Sequence, residues 1–156
     1  MKGRATEVKV LTNNPMVHGH LSSQAVCAVD YRDVSLHELM CIVRDFVHLG
    51  HRLLTHPLSG SVKPNETLYK SIGITDQPEA GLCLSSLNII EHSIQTVERF
   101  ANIKKPIDSN AKADLQLVDF TLILSALDSF MPGQQTFEAL KHPAVSPLDP
   151  PAPTRL

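Results

Sequence analysis

The chain has 156 residues, of which 42% are apolar, 19% charged and 4% aromatic, and 14 Lys+Arg stand against 16 Asp+Glu for a net charge of −2. That length supports one domain with its own core, and this composition excludes disorder or a coiled coil as a description of the whole. With no Trp the core is aliphatic, and the near-balanced charge gives no support for a nucleic-acid partner. Cys27, Cys41 and Cys83 are odd in number and form no CxxC, which excludes a disulfide scaffold and reads as small buried thiols. The N-terminus lacks the apolar run of a signal peptide, and no apolar stretch reaches the roughly 18 residues of a membrane span. The expectation is a cytoplasmic protein with no membrane partner.

Glu7–Thr12 reads as a first strand. Asn14-Pro15 then pairs a good helix cap with a residue favoured at the first helical position, so a short helix is expected over Met16 to Ser23. Ala25–Tyr31 is apolar nearly throughout, as a parallel strand buried on both faces would be. Ser35 and Glu38 make a capping box ahead of an apolar stripe at Leu36, Leu39, Met40, Val43, Phe46 and Val47, and Gly50 stands where a left-handed C-terminal cap belongs. His51–Thr55 reads as a third strand. Leu68–Thr75 reads as a fourth, its direction left open.

Two longer helices follow. Leu87, Ile90, Ile94, Val97 and Ala101 step by 3,4,3,4 within a helix expected from Ser86 to Phe100. Leu117, Phe120, Leu124, Leu127 and Met131 do the same within one expected from Asp114 to Met131, widened by Leu115, Leu122, Ile123 and Phe130. This second helix carries more apolar surface than one sheet face needs, which suggests a homodimer through it. The expectation is a single α/β domain over residues 1–131. It comprises a small, open, mostly parallel sheet of about four strands in 7–75, flanked by helices, and added C-terminal helices in 84–131. Five of the 11 prolines fall from Pro143 onward, so 132–156 reads as an extended or disordered tail.

In open α/β sheets ligands bind beyond the carboxyl ends of parallel strands. Three segments are expected to meet there: Thr12–Pro15, Asp30–Asp33 and Thr55–Pro57. The loop from Thr55 to Thr67 is the richest of them. Ser59-Gly60-Ser61 supplies hydroxyls and a backbone able to turn its N–H groups onto an anion, and Lys63 supplies a mobile charge. His56 supplies an imidazole, the side chain suited to exchanging a proton with a ligand. Pro57 and Pro64 stiffen the loop. The functional reading is a pocket for a small anion built from Asn13, Asn14, His56, Ser59, Gly60, Ser61, Lys63, Asn65 and Glu66. The structural reading is a compact loop whose hydroxyls and Asn65 satisfy its own backbone.

Asn14 itself reads chiefly as a helix cap, with Asn13 left open. His18-Gly19-His20 and His48-x-x-His51 have no carboxylate or Cys nearby in sequence to complete a metal site, so neither a metal nor a cofactor is expected. There is no P-loop frame and no nucleophile elbow. Three readings remain: a non-catalytic module holding a small anionic metabolite, a small enzyme with His56 as general acid/base and Lys63 as anion clamp, and an assembly factor docking through its apolar helix or tail.

The Val10–Pro15 run, Val43-Arg44-Asp45, and above all His51–Thr67 with Tyr69-Lys70-Ser71 resemble the GrdX-like proteins over roughly residues 7 to 101. Members are small proteins encoded beside the subunits of glycine reductase in amino-acid-fermenting anaerobes. The resemblance implies that genomic setting, but no reaction and no assigned catalytic residue.

Overall fold

The sheet has three strands, β1 (Val8–Thr12), β2 (Ala28–Tyr31) and β3 (Ser71–Thr75), in the order β2-β1-β3, in a computed structural model that describes residues 7–60, 63–103 and 106–131. β1 is central. It pairs parallel with β2, Thr12 opposite Tyr31, and antiparallel with β3, Thr12 opposite Ser71. The sheet is therefore mixed, which corrects the expectation of four mostly parallel strands.

Each departure has a local cause. The predicted third strand, His51–Thr55, lies against β3 with Thr75 N–H donating to Arg52 O and Leu54 N–H to Gly73 O, but it forms only an isolated bridge, Leu53 opposite Ile74, and no continuous ladder. Side-chain oxygens take the places of ladder partners there. Arg52 N–H donates to Thr75 Oγ1, Leu53 N–H to Ser86 Oγ, and Gly73 N–H to Thr55 Oγ1. β2 begins three residues later than expected because Ala25 has a φ of +50° and belongs to the turn after the first helix. β2 is also an edge strand. Ala28 is exposed and the rest only partly covered, so its apolar run does not mark burial on both faces.

The helices follow their sequence signals closely. In α1 (Pro15–Ser23), Asn14 Oδ1 accepts from Met16 N–H and Pro15 occupies the first turn. In α2 (Leu36–His48) both halves of the Ser35–Glu38 capping box form. Past its end, Gly50 N–H donates to Val47 O and His51 N–H to Phe46 O, with Gly50 at φ +108°. That is a Schellman closure, which requires a left-handed residue. α3 (Leu84–Phe100) and α4 (Ser109–Phe130) are the last described elements, α4 starting five residues earlier than expected, behind Asp108, and the tail expected over 132–156 lies outside the described residues.

Strand alternation sorts the core into two clusters. Leu11, Ile72 and Ile74 face α2 and α3, where Leu39, Met40, Val43, Val47, Ile90 and Ile94 are buried. Val8 and Val10 face α1 and α4, against Val17, Leu21, Phe120, Ile123, Leu124 and Leu127. The result is three layers, with helices on both faces of a sheet only three strands wide.

Candidate functional site

β1 and β2 end, and β3 begins, at one pole of the sheet. Arg32 N–H donates to Thr12 O at 2.9 Å, which brings the β2 exit to the β1 exit. Asn13 ties this pole together. Its Nδ2 donates to Leu68 O (2.8 Å) and Val34 O (3.1 Å), and its Oδ1 accepts from Lys70 N–H (2.8 Å). Three of the four hydrogen bonds an Asn amide can make are thus spent on backbone. Asn14 caps α1 with Oδ1 and sends Nδ2 to Asp119 Oδ2 (2.9 Å) and Gln116 O (2.9 Å) on α4.

Asp119 is the residue the sequence reading missed. It is 4% exposed, in the middle of α4. Its Oδ1 accepts from Ser71 N–H (2.9 Å), and its Oδ2 accepts from Ser71 Oγ–H (2.7 Å) as well as from Asn14. Thr12 Oγ1 extends the network. It lies 2.7 Å from Ser71 Oγ, accepts from Asn14 N–H (2.9 Å), and reaches Lys70 O at 3.2 Å. Burial raises the Asp119 pKa, while the hydrogen bonds from Asn14 and Ser71 and the Lys70 charge pull it back only in part. One signal was present in the sequence: Asp119 stands four residues from both Leu115 and Ile123, a polar residue on an apolar face.

The loop after Thr55 reaches the same pole. His56 is exposed, its Nδ1 accepts from Leu58 N–H (3.1 Å), and its carbonyl accepts from Ser59 N–H (3.0 Å). Gly60 has φ +98°, and a Cβ there would stand 3.0 Å from Leu122 Cδ1. Lys63 is exposed and its carbonyl accepts from Glu66 N–H. Asn65 Nδ2 donates to Ile103 O (3.0 Å), and its buried Oδ1 has no hydrogen-bond partner among the described residues. Ser61 lies outside the described residues.

Beneath this loop is a second missed group. Lys70 is 7% exposed, and its Nζ donates to Ser59 O. Among the described residues no carboxylate stands within ion-pair distance of it. Burial lowers its pKa, and the nearby Asp119 charge opposes that shift. The pole thus unites Asn13, Asn14, Ser59 and Gly60 with Lys70, Ser71 and Asp119, whereas the hydrogen bonds described for His56, Lys63 and Asn65 run within the loop and to Ile103.

The histidine pairs are spread apart. His18 stacks on Tyr31, His20 lies against Phe120, and buried His51 donates from Nδ1 to Thr75 O. Among the described residues no group of three or more His, Cys, Asp or Glu is placed to hold a metal ion. No helix among them is long and apolar enough to cross a membrane. Cys27, Cys41 and Cys83 are free thiols.

A family model described as GrdX-like protein matches residues 9–128, more than half of the chain and beyond the span over which the sequence motifs resembled it. No curated protein and no solved structure matches the chain.

Proposed function

The chain belongs to the GrdX-like family, and on that premise we propose that it is an accessory protein that holds a small anionic metabolite at the loop 55–67. One observation carries this reading: the Lys70 ammonium is buried under Ser59–Gly60 with a carbonyl as its partner and, among the described residues, no carboxylate in contact. A buried cation whose burial is offset only in part by the Asp119 charge is costly, and an anion at the loop would relieve that cost. Gly60 leaves the approach open where any Cβ would crowd Leu122. Ser59, Lys63 and Asn65 would supply the outer contacts.

A catalytic role for His56 is less well supported. Its Nδ1 is occupied by Leu58 N–H, and Asn13, its expected co-ligand, is committed to backbone. The test is a thermal-shift panel of small phosphates and carboxylates on the full chain. Binding raises the melting temperature with the logarithm of one plus ligand concentration over Kd. We expect shifts for a subset of anions, reduced by Lys63→Ala and abolished by Lys70→Met. Silence across the whole panel would refute the reading.

The homodimer remains a separate proposal, favoured by one observation: Leu117, Val118 and Leu122 on α4 are 36–44% exposed on the side away from the core. Sedimentation velocity would show a dimer, and Val118→Glu would return it to a monomer. A monomer at every concentration would remove this proposal.

A further inference from the structure

We propose that an anion held at the Ser59–Gly60 loop binds together with a proton, which Asp119 takes up. This rests on the anion-binding reading above and adds the regulation of that site.

The two buried charges of the pole, Lys70 and Asp119, are joined through Ser71. Lys70 precedes Ser71 in the chain, and Ser71 N–H donates to Asp119 Oδ1 at 2.9 Å. With no anion present, Asp119 is the nearby negative charge acting on Lys70. An anion brought to Lys70 duplicates that role. Two negative charges near one ammonium disfavour each other, so one of them is driven to its neutral form. Burial already pushes Asp119 toward that form.

The hydrogen-bond network can receive the proton without leaving a buried group unpaired. With Asp119 ionised, Ser71 Oγ–H donates to Oδ2, and Thr12 Oγ1–H is shared between Ser71 Oγ and Lys70 O. With Oδ2 protonated, the direction reverses. Oδ2–H donates to Ser71 Oγ, Ser71 Oγ–H donates to Thr12 Oγ1, and Thr12 Oγ1–H settles on Lys70 O. Each hydroxyl keeps its one donor role, and Thr12 Oγ1, which already accepts from Asn14 N–H, takes the Ser71 proton on its second lone pair. Asn14 Nδ2 and Ser71 N–H keep their partners in both states. A buried carboxylate fixed only by N–H donors would offer no such acceptor for its proton.

The other titratable groups are few. Lys70 faces Asp119 from the start of β3. β1 and the turn after it contribute only Thr12, Asn13 and Asn14. His20 on α1 packs on Phe120, the residue next to Asp119. On the loop, the other titratable groups among the described residues are His56, Lys63 and Glu66.

Sulfate is the probe, because it does not itself titrate between pH 5 and pH 8. Calorimetry on the full chain in buffers of different ionisation heat reads the protons taken up per sulfate bound. We expect uptake of a fraction of a proton and an affinity that weakens by less than tenfold per pH unit, since at most one proton is linked. Asp119→Asn should abolish the uptake and flatten the pH dependence, whereas His56→Gln should leave both. On the unaltered chain, sulfate should also raise the infrared carbonyl band of a protonated carboxyl, a readout independent of how any variant folds. Uptake that survives Asp119→Asn and disappears with His56→Gln overturns the proposal. Sulfate binding with no uptake overturns it while sparing the anion site. If no sulfate and no other small anion binds, both are overturned.

Discussion

Asp119 couples α4 to β3 and to the α1 cap through three accepted hydrogen bonds, and one of those donors, Ser71 N–H, has no other acceptor among the described residues. Asp119→Ala should therefore cost about 2–4 kcal/mol, because it strands a buried N–H group as well as opening space; urea denaturation measures it. The pH dependence has a definite sign. The folded-state pKa of Asp119 lies above the ordinary carboxylate value. In the window between the two, the folded chain retains a proton that the unfolded chain has released. Stability then falls as pH rises from about 4 through the folded value, and Asp119→Asn should flatten that part of the curve of urea midpoint against pH. The thiols offer a second contrast. Burial and the Asp76 charge push Cys27 up to about 11, while Ser86 and Arg52 hold Cys83 below its usual range. At pH 8 iodoacetamide should label Cys83 first and Cys27 last, as peptide mapping would report. The sequence alone offered no way to rank these thiols. Ser86 is three residues from Cys83, but Arg52 reaches it only through the fold. Asp119 was hidden for the same reason, since Ser71 lies 48 positions away and Asn14 lies 105 away.

Helix ends were the most legible elements, because their signals are local. Asn14-Pro15, the Ser35–Glu38 box and Gly50 each act within a few residues, and each forms as read. Gly50 shows what such a position demands. Its φ of +108° disfavours any side chain, and a Cβ would lie 2.4 Å from the Glu79 carbonyl oxygen. Gly81 has φ +92° with nothing within 4 Å of its Cβ position. Alanine at Gly81 should cost about 1 kcal/mol for backbone conformation alone, whereas alanine at Gly50 should cost about 2–4 kcal/mol, since backbone must also move. Equal losses in urea titrations would show that the Gly50–Glu79 contact carries no weight. Strands were less legible. The His51–Thr55 run has strand composition, but Thr75, Ser86 and Thr55 side chains take over three of the hydrogen bonds a continuous ladder would make. Two of those three partners lie more than 20 residues away.

At the scale of the molecule, a three-stranded sheet has two faces to cover, and α4 covers much of one of them. Without it, Val8, Val10, Val17 and Leu21 would face water, since Phe120, Ile123, Leu124 and Leu127 complete their cluster. The 3,4,3,4 apolar steps announced an α4 that packs, but not the face it packs on, because heptad-like spacing carries no address. The chain from Leu127 back to Val8 spans nearly the whole described sequence, so the cluster closes only after α4 is in place. Ending the chain at Asp108 should therefore abolish cooperative unfolding, not merely lower its midpoint, because burial scales with the apolar area removed from water. Phe120→Ala is the milder version of that cut. It removes a ring that is 2% exposed and should cost about 3–5 kcal/mol while leaving unfolding two-state. Circular dichroism against urea separates the two outcomes. A chain ending at Asp108 that still unfolded in one sharp transition would mean that the sheet, α1, α2 and α3 form a stable unit on their own, with α4 docked on it afterwards.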